Sequence, residues 1–310
     1  MAKPSQKPSP SSLSSSLAAA APAAYRIWFV PGPGSTDRAA AADTGASAKS
    51  ATADAAARGE SFRRFADPSA AVAKRQSLPL DSVLQPDGAE ARGDELHIIY
   101  LPPGTPESEV QSAQRWLAGK GRARPVRAQS AELTLLFHPG RAVITGSAEQ
   151  LDEALAALTD FAFYESQLRK LEAEVARDWP EVEADLPYVS KLDDGSKKLW
   201  PALYRKLAHQ HWLGMAAARI DHRVALITEE RSPELAKLLA RLRVRARLPT
   251  RLEQLQSQLE VRDGVYDQIG YRLSDHRQLR ASLIIEVVIV VLLIMEVGIS
   301  LFNLIDGVQH

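Results

Sequence analysis

The sequence predicts an α+β N-terminal module followed by an all-α helical hairpin and a single C-terminal transmembrane helix. Short aromatic and β-branched runs bounded by proline and glycine, which are typical of strands, alternate with helical segments in the first part of the chain. A seven-residue apolar repeat then follows in a long segment that has no helix breaker. The run from Leu283 to Ile305 is predominantly apolar and long enough to cross a bilayer.

The composition excludes several classes of site. The 310 residues carry 38 Lys and Arg against 38 Asp and Glu, so the net charge gives no argument for a nucleic-acid or membrane-surface partner. Because cysteine is absent, disulfides, thiolate metal sites and thiol catalysis are excluded. Residues 1–24, which are rich in Ser, Ala and Pro, are expected to form a disordered or targeting tail.

The α+β module is predicted over residues 25–200, with a low-complexity insertion near 35–90. Tyr25–Val30 and Leu96–Leu101 read as strands because they are β-branched and aromatic and each ends at proline. A helix is predicted from Thr105 to Gly119, since Pro106 suits the first helical position.

The second half of this module begins with a predicted hairpin. Leu133–Phe137 and Arg141–Thr145 flank a tight Pro-Gly turn. Two helices are expected next, Ala148–Leu158, with Ser147 as its N-cap and Gln150 in a capping box, and Phe161–Trp179, which Pro180 should end. Pro187–Ser190 is expected to form a short strand.

Residues 201–280 are predicted to form a helical hairpin with a short coiled-coil-like seam. Its first helix shows an apolar stripe, and a capped helix over Glu234–Leu248 precedes the last long helix, which Thr250 should cap. Leu252, Leu259, Tyr266 and Leu273 recur every seven residues, with Leu255 and Ile269 at the other core position. The stripe of the first helix comprises Leu203, Leu207, Trp212 and Met215.

The predicted transmembrane helix, 283–305, contains two carboxylates, Glu286 and Glu296. A carboxylate at mid-bilayer costs on the order of 2.5–3.5 kcal/mol on insertion scales, so Glu296 needs a partner. We expect both acids to orient or assemble the helix rather than carry protons. Arg272, Arg277 and Arg280 precede the run and only Asp306 follows it, which predicts a single-pass protein with its N-terminal bulk inside.

Two basic clusters are candidate RNA contacts, because arginine and lysine bind phosphates. No aromatic interleaving accompanies them, and the second also suits the negative end of a helix dipole. The first cluster is Lys120, Arg122, Arg124 and Arg127, and the second is Arg241, Arg243, Arg245 and Arg247.

No enzyme motif occurs, so the sequence predicts no catalytic residue, cofactor or metal and no evident small-molecule substrate. A hydrolase or metal-dependent enzyme in the soluble half is the alternative. It requires polar side chains that converge in a pocket, in particular His209, His211, Asp221 and Glu229.

The C-terminal half, roughly residues 130–305, resembles the "required for meiotic nuclear division" protein family. That family ends in a long helix, a basic stretch and an apolar segment with an Ile-Glu-Val motif, which Arg277-Gln-Leu-Arg280 and Met295-Glu-Val297 match in position. Phe137-His-Pro-Gly-Arg-Ala-Val-Ile-Thr-Gly146 looks like the family's hairpin, without its aromatic end. Leu207–Ala218 takes the place of the family's small polar helix.

This resemblance implies a membrane-anchored, oligomeric protein that is not an enzyme. Eukaryotic members lie in the mitochondrial inner membrane and support organellar translation by organising ribosomes there, whereas bacterial members have no settled function. The expected partners are therefore the lipid bilayer, further copies of this chain, and a ribosome or another membrane protein. The expected location is the mitochondrial inner membrane in a eukaryote and the cytoplasmic membrane in a bacterium.

Overall fold

A computed structural model describes residues 21–32, 60–84, 94–119, 124–190 and 200–308, without the side chains of a few residues in the last helix and of those beyond 298. The chain forms two compact units. The first unit comprises Met1–Arg64, Ala71–Ala162 and Arg231–Leu242, and the second comprises Phe65–Ala70, Phe163–Glu230 and Arg243–His310. The predicted α+β fold, the helices that follow it and the apolar C-terminal helix are all confirmed.

The first unit is built on a seven-stranded mixed sheet with the order β2-β3-β1-β4-β7-β6-β5. β4 and β7 are parallel, whereas β1 pairs antiparallel with β3 and β4, and β6 pairs antiparallel with β5 and β7. The strands are β1 (Ala23–Pro31), β2 (Glu60–Phe65), β3 (Ala71–Leu78), β4 (Glu95–Leu101), β5 (Val126–Gln129), β6 (Thr134–His138) and β7 (Arg141–Thr145).

Seven α-helices lie in the described part of the chain. A single 3-10 turn, Ala148–Gln150, precedes the third of them. The helices are α1 (Leu80–Leu84), α2 (Glu107–Ala118), α3 (Leu151–Asp185), α4 (Pro187–Ser190), α5 (Trp200–Glu229), α6 (Pro233–Arg245) and α7 (Leu248–Val308).

Helices cover both faces of the sheet, because alternate strand residues point to opposite sides. On one face Ile99 and Val143, which are cross-strand neighbours, pack with Leu117 of α2 and Val83 of α1. On the other face Phe137 of β6 meets Phe161 of α3 edge to face, with ring centroids 5.0 Å apart. The core of the first unit therefore has two apolar layers, one on each side of the sheet.

The second unit is a helical bundle made by α5, α7 and the C-terminal half of α3. Leu203 of α5 packs with Tyr266 and Ile269 of α7, and the Gln210 amide donates to the Leu259 carbonyl at 3.2 Å. Residues later in α5 therefore contact residues earlier in α7, so these two helices are antiparallel. The predicted helical hairpin is confirmed in this form, with α6 between its arms in the chain.

Several predicted element boundaries are wrong. Pro180 lies inside α3 and does not end it, since Val175 and Val182 on either side are both buried and hold the helix in the bundle. The same helix replaces the two predicted over 148–179, and Ser147 makes no side-chain capping bond. Pro187–Ser190 is a helical turn, in which the Ser190 hydroxyl donates to the Pro187 carbonyl at 3.1 Å.

Other elements also differ from the prediction, because contacts between residues distant in sequence determine their bounds and their burial. Residues 60–84, inside the predicted insertion near 35–90, form β2, β3 and α1; the other residues of that range lie outside the described ones. α6 ends at Arg245, and α7 begins at Leu248, ahead of the predicted cap Thr250. In the predicted stripe of α5, Leu203 is buried, whereas Trp212 is 42% and Met215 53% exposed.

Gly146, after β7, tests how closely the first unit is packed. A Cβ added there would lie 2.7 Å from Leu133 Cδ1 and 3.1 Å from the Glu132 carbonyl oxygen. We expect Gly146→Ala to lower the free energy of unfolding by about 1–3 kcal/mol through overpacking. Gly214→Ala is the matched control, since nothing lies within 4 Å of its added Cβ, and it should stabilise α5 by about 0.5–1 kcal/mol. Denaturant unfolding of the full chain in detergent measures both, and equal effects would contradict the packing described.

Candidate functional site

The candidate site is α7, because this one helix joins a buried segment to an exposed apolar one. Its window Ala281–Gly298 has a mean hydropathy of 2.5, and none of it is buried within the protein. By length and composition it is the one helix among the described residues that could cross a membrane. An apolar surface of this extent is costly in water, which favours a lipid or protein surrounding.

The seam predicted for α7 is its buried side. Leu252, Leu255 and Leu259 are each at most 4% exposed, and Tyr266 and Ile269 are at most 3% exposed. Arg262 occupies one seam position and is 2% exposed. The side chains of Leu273 and His276, which continue the pattern, lie outside the described residues.

Arg251 fixes the start of α7 to α3. Its Nε and Nη2 donate to both oxygens of Glu172, at 2.8 and 2.7 Å, while Nη1 donates to Glu165 at 3.1 Å. The hydrogen bonds and charges of these two acids raise the pKa of Arg251 although burial lowers it. A partly buried guanidinium that donates hydrogen bonds to carboxylates through all three of its nitrogens makes one of the stronger polar contacts found in proteins.

Arg262 is held more loosely in the middle of the bundle. Its Nη1 lies 3.5 Å from the Val175 carbonyl oxygen, and its Nη2 lies 3.7 Å from Asp178. Asp178 also contacts His209 of α5, whose Nε2 is 3.1 Å from the carboxylate. One carboxylate of α3 thus links the other two helices, and Arg262 Nε has no hydrogen-bond partner.

Asp185 makes a second junction near the end of α3. Its Oδ2 accepts from Lys206 of α5 at 2.7 Å and from the Tyr266 hydroxyl of α7 at 3.0 Å. Burial, together with the charge of Asp185, raises the pKa of Tyr266. Although burial opposes it, the contact with Asp185 raises the pKa of Lys206. The three helices therefore meet at one ionic cluster on a largely apolar background.

The two predicted membrane carboxylates lie on exposed positions of α7. Glu286 and Glu296 are both exposed, and no described residue forms a hydrogen bond or ion pair with either. At about 100° per residue, Glu296 lies within roughly 20° of the direction of Glu253, Glu260 and Tyr271. All three of these are also exposed, so the outer face of α7 carries acids from the bundle into the apolar window.

The basic clusters predicted as RNA contacts are only partly described. Lys120 and Arg122 lie outside the described residues. Arg127 Nη2 donates to the Gln129 side chain at 2.7 Å, and Arg241 Nη1 donates to the Gln129 carbonyl at 2.7 Å, so the structure brings one member of each cluster to β5. The other described members are Arg124, Arg245 and Arg247, which are exposed, and Arg243, which lies 3.8 Å from Asp221.

The residues required by the enzyme alternative do not converge. All four lie on α5, where Glu229 is about 30 Å along the axis from His209 at ~1.5 Å per residue. His209 contacts Asp178, Asp221 contacts Arg243, and His211 and Glu229 are exposed. No group of three or more potential metal ligands occurs among the residues that the structure describes.

A polar cluster on the first unit's sheet was not predicted. Arg26 and His97 are cross-strand neighbours, and both contact Glu95, with Arg26 Nη2 at 2.7 Å and His97 Nε2 at 3.5 Å from its oxygens. The hydrogen bond from His97, ahead of the Arg26 contacts, lowers the pKa of Glu95 to about 2. Arg26 comes from β1, whereas Glu95 and His97 both lie on β4, and the local sequence gives no signal of the register between these two strands.

A second unpredicted cluster surrounds Asp160 of α3. This buried carboxylate accepts from Arg63 Nε at 2.9 Å and also pairs with Arg231. Burial raises the pKa of Asp160 above its usual value, and the two guanidinium groups oppose that rise. Because it ties β2 and the segment before α6 to α3 within the first unit, the cluster has a structural role.

No family model and no curated protein matches the chain. Among solved structures, it is similar to one described as the structure of the full-length CmaX protein, at 12% sequence identity and a TM-score of 0.32. That alignment covers 68% of this chain and 75% of the other. The resemblance to the meiotic nuclear division family stays a prediction.

The Arg251 contacts can be tested by a charge-conserving change. Arg251→Lys keeps one positive charge but loses the fork that reaches both Glu172 and Glu165, and we expect it to cost about 1–3 kcal/mol of unfolding free energy. Arg169→Lys is the matched control, because Arg169 also contacts Glu165 but is 42% exposed and should change stability by at most about 0.5 kcal/mol. Denaturant unfolding in detergent measures both, and an equal loss would contradict the special role of Arg251.

Glu95 should make the first unit sensitive to acid. Since its pKa in the folded protein is about 2 against a usual 4.5, its contribution to stability is present above the higher value and is lost as pH falls towards the lower. Glu95→Gln should therefore be less stable than the unmodified chain at pH 7, and the difference should shrink between these two pKa values. Unfolding midpoints measured across that range check this, and a constant difference would contradict it.

Proposed function

We propose that this protein is a membrane-anchored oligomeric scaffold, in which the bundle of the second unit holds a single anchor helix. The observation that carries the proposal is the continuity of α7, which runs from Leu248 to Val308 without a break. One end is clamped by Arg251 in the bundle, and the other is a fully exposed apolar window. A helix of this kind transmits position and orientation between a soluble body and a bilayer.

The charged contacts along α7 support a structural rather than a catalytic role. The carboxylates of α3 that contact α7 are each engaged by Arg251, by Arg262 or by Tyr266 and Lys206. Groups satisfied in this way orient helices and leave little freedom for proton transfer to a substrate. The role is therefore to hold the anchor in one register.

The two carboxylates of the apolar window support assembly with other helices. An ionisable group at membrane depth is costly unless it is paired, and Glu296 has no partner among the described residues of its own chain. A second copy that shares a proton with Glu296 would satisfy it, as would a polar group of another membrane protein. The arginines before the window support an orientation in which the bulk of the chain lies on the inner side.

The family resemblance adds a more specific proposal. By that analogy the scaffold would organise ribosomes at the mitochondrial inner membrane, or act at the cytoplasmic membrane of a bacterium. Affinity purification from membranes in mild detergent tests this, with co-purification of ribosomal subunits as the expected result. A preparation that contains the scaffold and no ribosomal subunit would contradict this part alone.

The substitution Glu296→Leu tests the anchor and the assembly together. We expect membrane insertion, measured by resistance to alkaline extraction, to persist or improve because a costly carboxylate is removed. Crosslinked oligomers, measured in native membranes, should decrease. Ser282→Leu, at the edge of the window, is the control and should leave both unchanged. Extraction of the unmodified chain by alkali would contradict anchoring, and unchanged crosslinking of Glu296→Leu would remove the assembly role of this acid.

A further inference from the structure

An exposed face of α5 has the composition of a protein interface. Tyr204, Trp212 and Met215 are 40%, 42% and 53% exposed, and their spacing of eight and three residues places them on one side of the helix. The Trp212 ring stacks on His209, with centroids 6.0 Å apart, and Asp178 holds that histidine. Trp212 is thus a large apolar group fixed in orientation, and such aromatic residues are enriched at the energetic centres of interfaces.

This face of α5 is also basic. Between Trp200 and Thr228 the only acidic residue is Asp221, which contacts Arg243. Arg205 is exposed beside the aromatic residues, as is Arg219, which lies 3.6 Å from Asp67 of the same chain. A partner for this surface therefore needs both apolar side chains and carboxylates.

The outer face of α7 carries that complementary chemistry. Val261 and Tyr271 are 57% and 78% exposed, and Glu253, Glu260 and Asp267 are exposed around them. Between Leu252 and Tyr271 the only basic residue is Arg262, which is buried. Two α7 faces brought together would set acid against acid, which opposes a contact between identical faces.

We propose that the α5 face of one copy of this chain docks on the outer face of α7 of a second copy. The contact rests on the proposed function, since it is the soluble part of the oligomer that the anchor would hold. Because the two faces differ, the interface is heterologous, and its repetition gives a ring when the rotation between copies closes about an axis along the membrane normal. Glu296 points in the same direction as Glu253 and Glu260, so the contact continues into the membrane.

Equal membrane depth determines which residues meet. Copies anchored by the same helix and related by an axis along the membrane normal lie at the same height. Within one chain Gln210 lies beside Leu259 and Leu203 beside Tyr266, so Arg205 is level with Gly264. Arg205 therefore sits between the heights of Glu260 and Asp267 of the neighbour, about 6 and 5 Å away along the axis.

The same argument places the apolar groups. Trp212 is level with Ser257 of α7, and Val261 is one helical turn, about 6 Å, from it. Tyr204 is level with Val265 and lies about 6 Å along the axis from Val261 on the other side. The exposed valine of one copy thus falls between the two aromatic rings of the next.

A charge-swap experiment on the full chain in detergent tests the contact, with oligomer mass measured by light scattering over a dilution series. Arg205→Glu and Glu260→Arg should each weaken self-association by about tenfold or more, because like charges then face each other. The double variant should restore it. Arg64→Glu, an exposed change in the first unit, is the control and should have no effect. Thermal unfolding of each variant shows whether it folds.

The outcomes separate this inference from the proposed function. If the unmodified chain associates and the single variants associate equally well, the proposed contact between α5 and α7 is wrong, whereas the proposed oligomeric scaffold is not contradicted. Failure of the double variant to recover overturns the pairing of Arg205 with Glu260. Loss of a different co-purified protein, with self-association intact, assigns the face to that protein and also overturns the inference. A chain that is monomeric throughout the dilution series contradicts the oligomeric scaffold itself.

Discussion

The pairing of α7 with the carboxylates of α3 is the constraint on which the second unit depends. Arg251 and Arg262 lie on the buried side of α7, and the free energy of burying a guanidinium is prohibitive unless an acid faces it. Glu172 and Asp178 supply those acids at 2.7 and 3.7 Å. A shift of α7 by one residue would turn these charges away from their partners and bring polar groups into the seam. The ion pairs therefore set the register, while apolar contacts such as Leu203 with Tyr266 supply most of the driving force.

The opposite side of the same helix obeys a different requirement. Its exposed residues include the acids Glu253, Glu260 and Asp267 beside the bundle and are predominantly apolar in the window Ala281–Gly298. The buried side of such a helix is suited to the bundle and its acidic side to water or a charged partner. Its apolar continuation is suited to lipid. This division along one uninterrupted element is the observation on which the proposed anchored scaffold rests. Glu286 and Glu296 are the two acids that lie within that window.

In the first unit, too, single carboxylates are each shared between two charged or ionisable side chains. Asp160 joins Arg63 and Arg231, and Glu95 joins Arg26 and His97 on the sheet. In each case one carboxylate contacts two cationic or ionisable groups, at least one of which is distant in sequence. Such clusters hold strands and helices in register, and their ordinary structural role accounts for the charge found there. Among the described residues, the first unit therefore offers no stronger candidate for a catalytic site than the bundle of the second unit does.

The sequence by itself determined the fold class, the hairpin of β6 and β7, the seam of α7 and the apolar window, because each depends on local spacing or on length. Tertiary structure alone decided what those patterns face. It carried α3 through Pro180, made β2 and β3 from polar-looking segments, and left Trp212 and Met215 of a predicted core stripe exposed. It also brought Arg26 to Glu95 and Arg251 to Glu172, pairs 69 and 79 residues apart. Periodicity reports which residues share a face, whereas the partner of that face depends on the positions of distant elements.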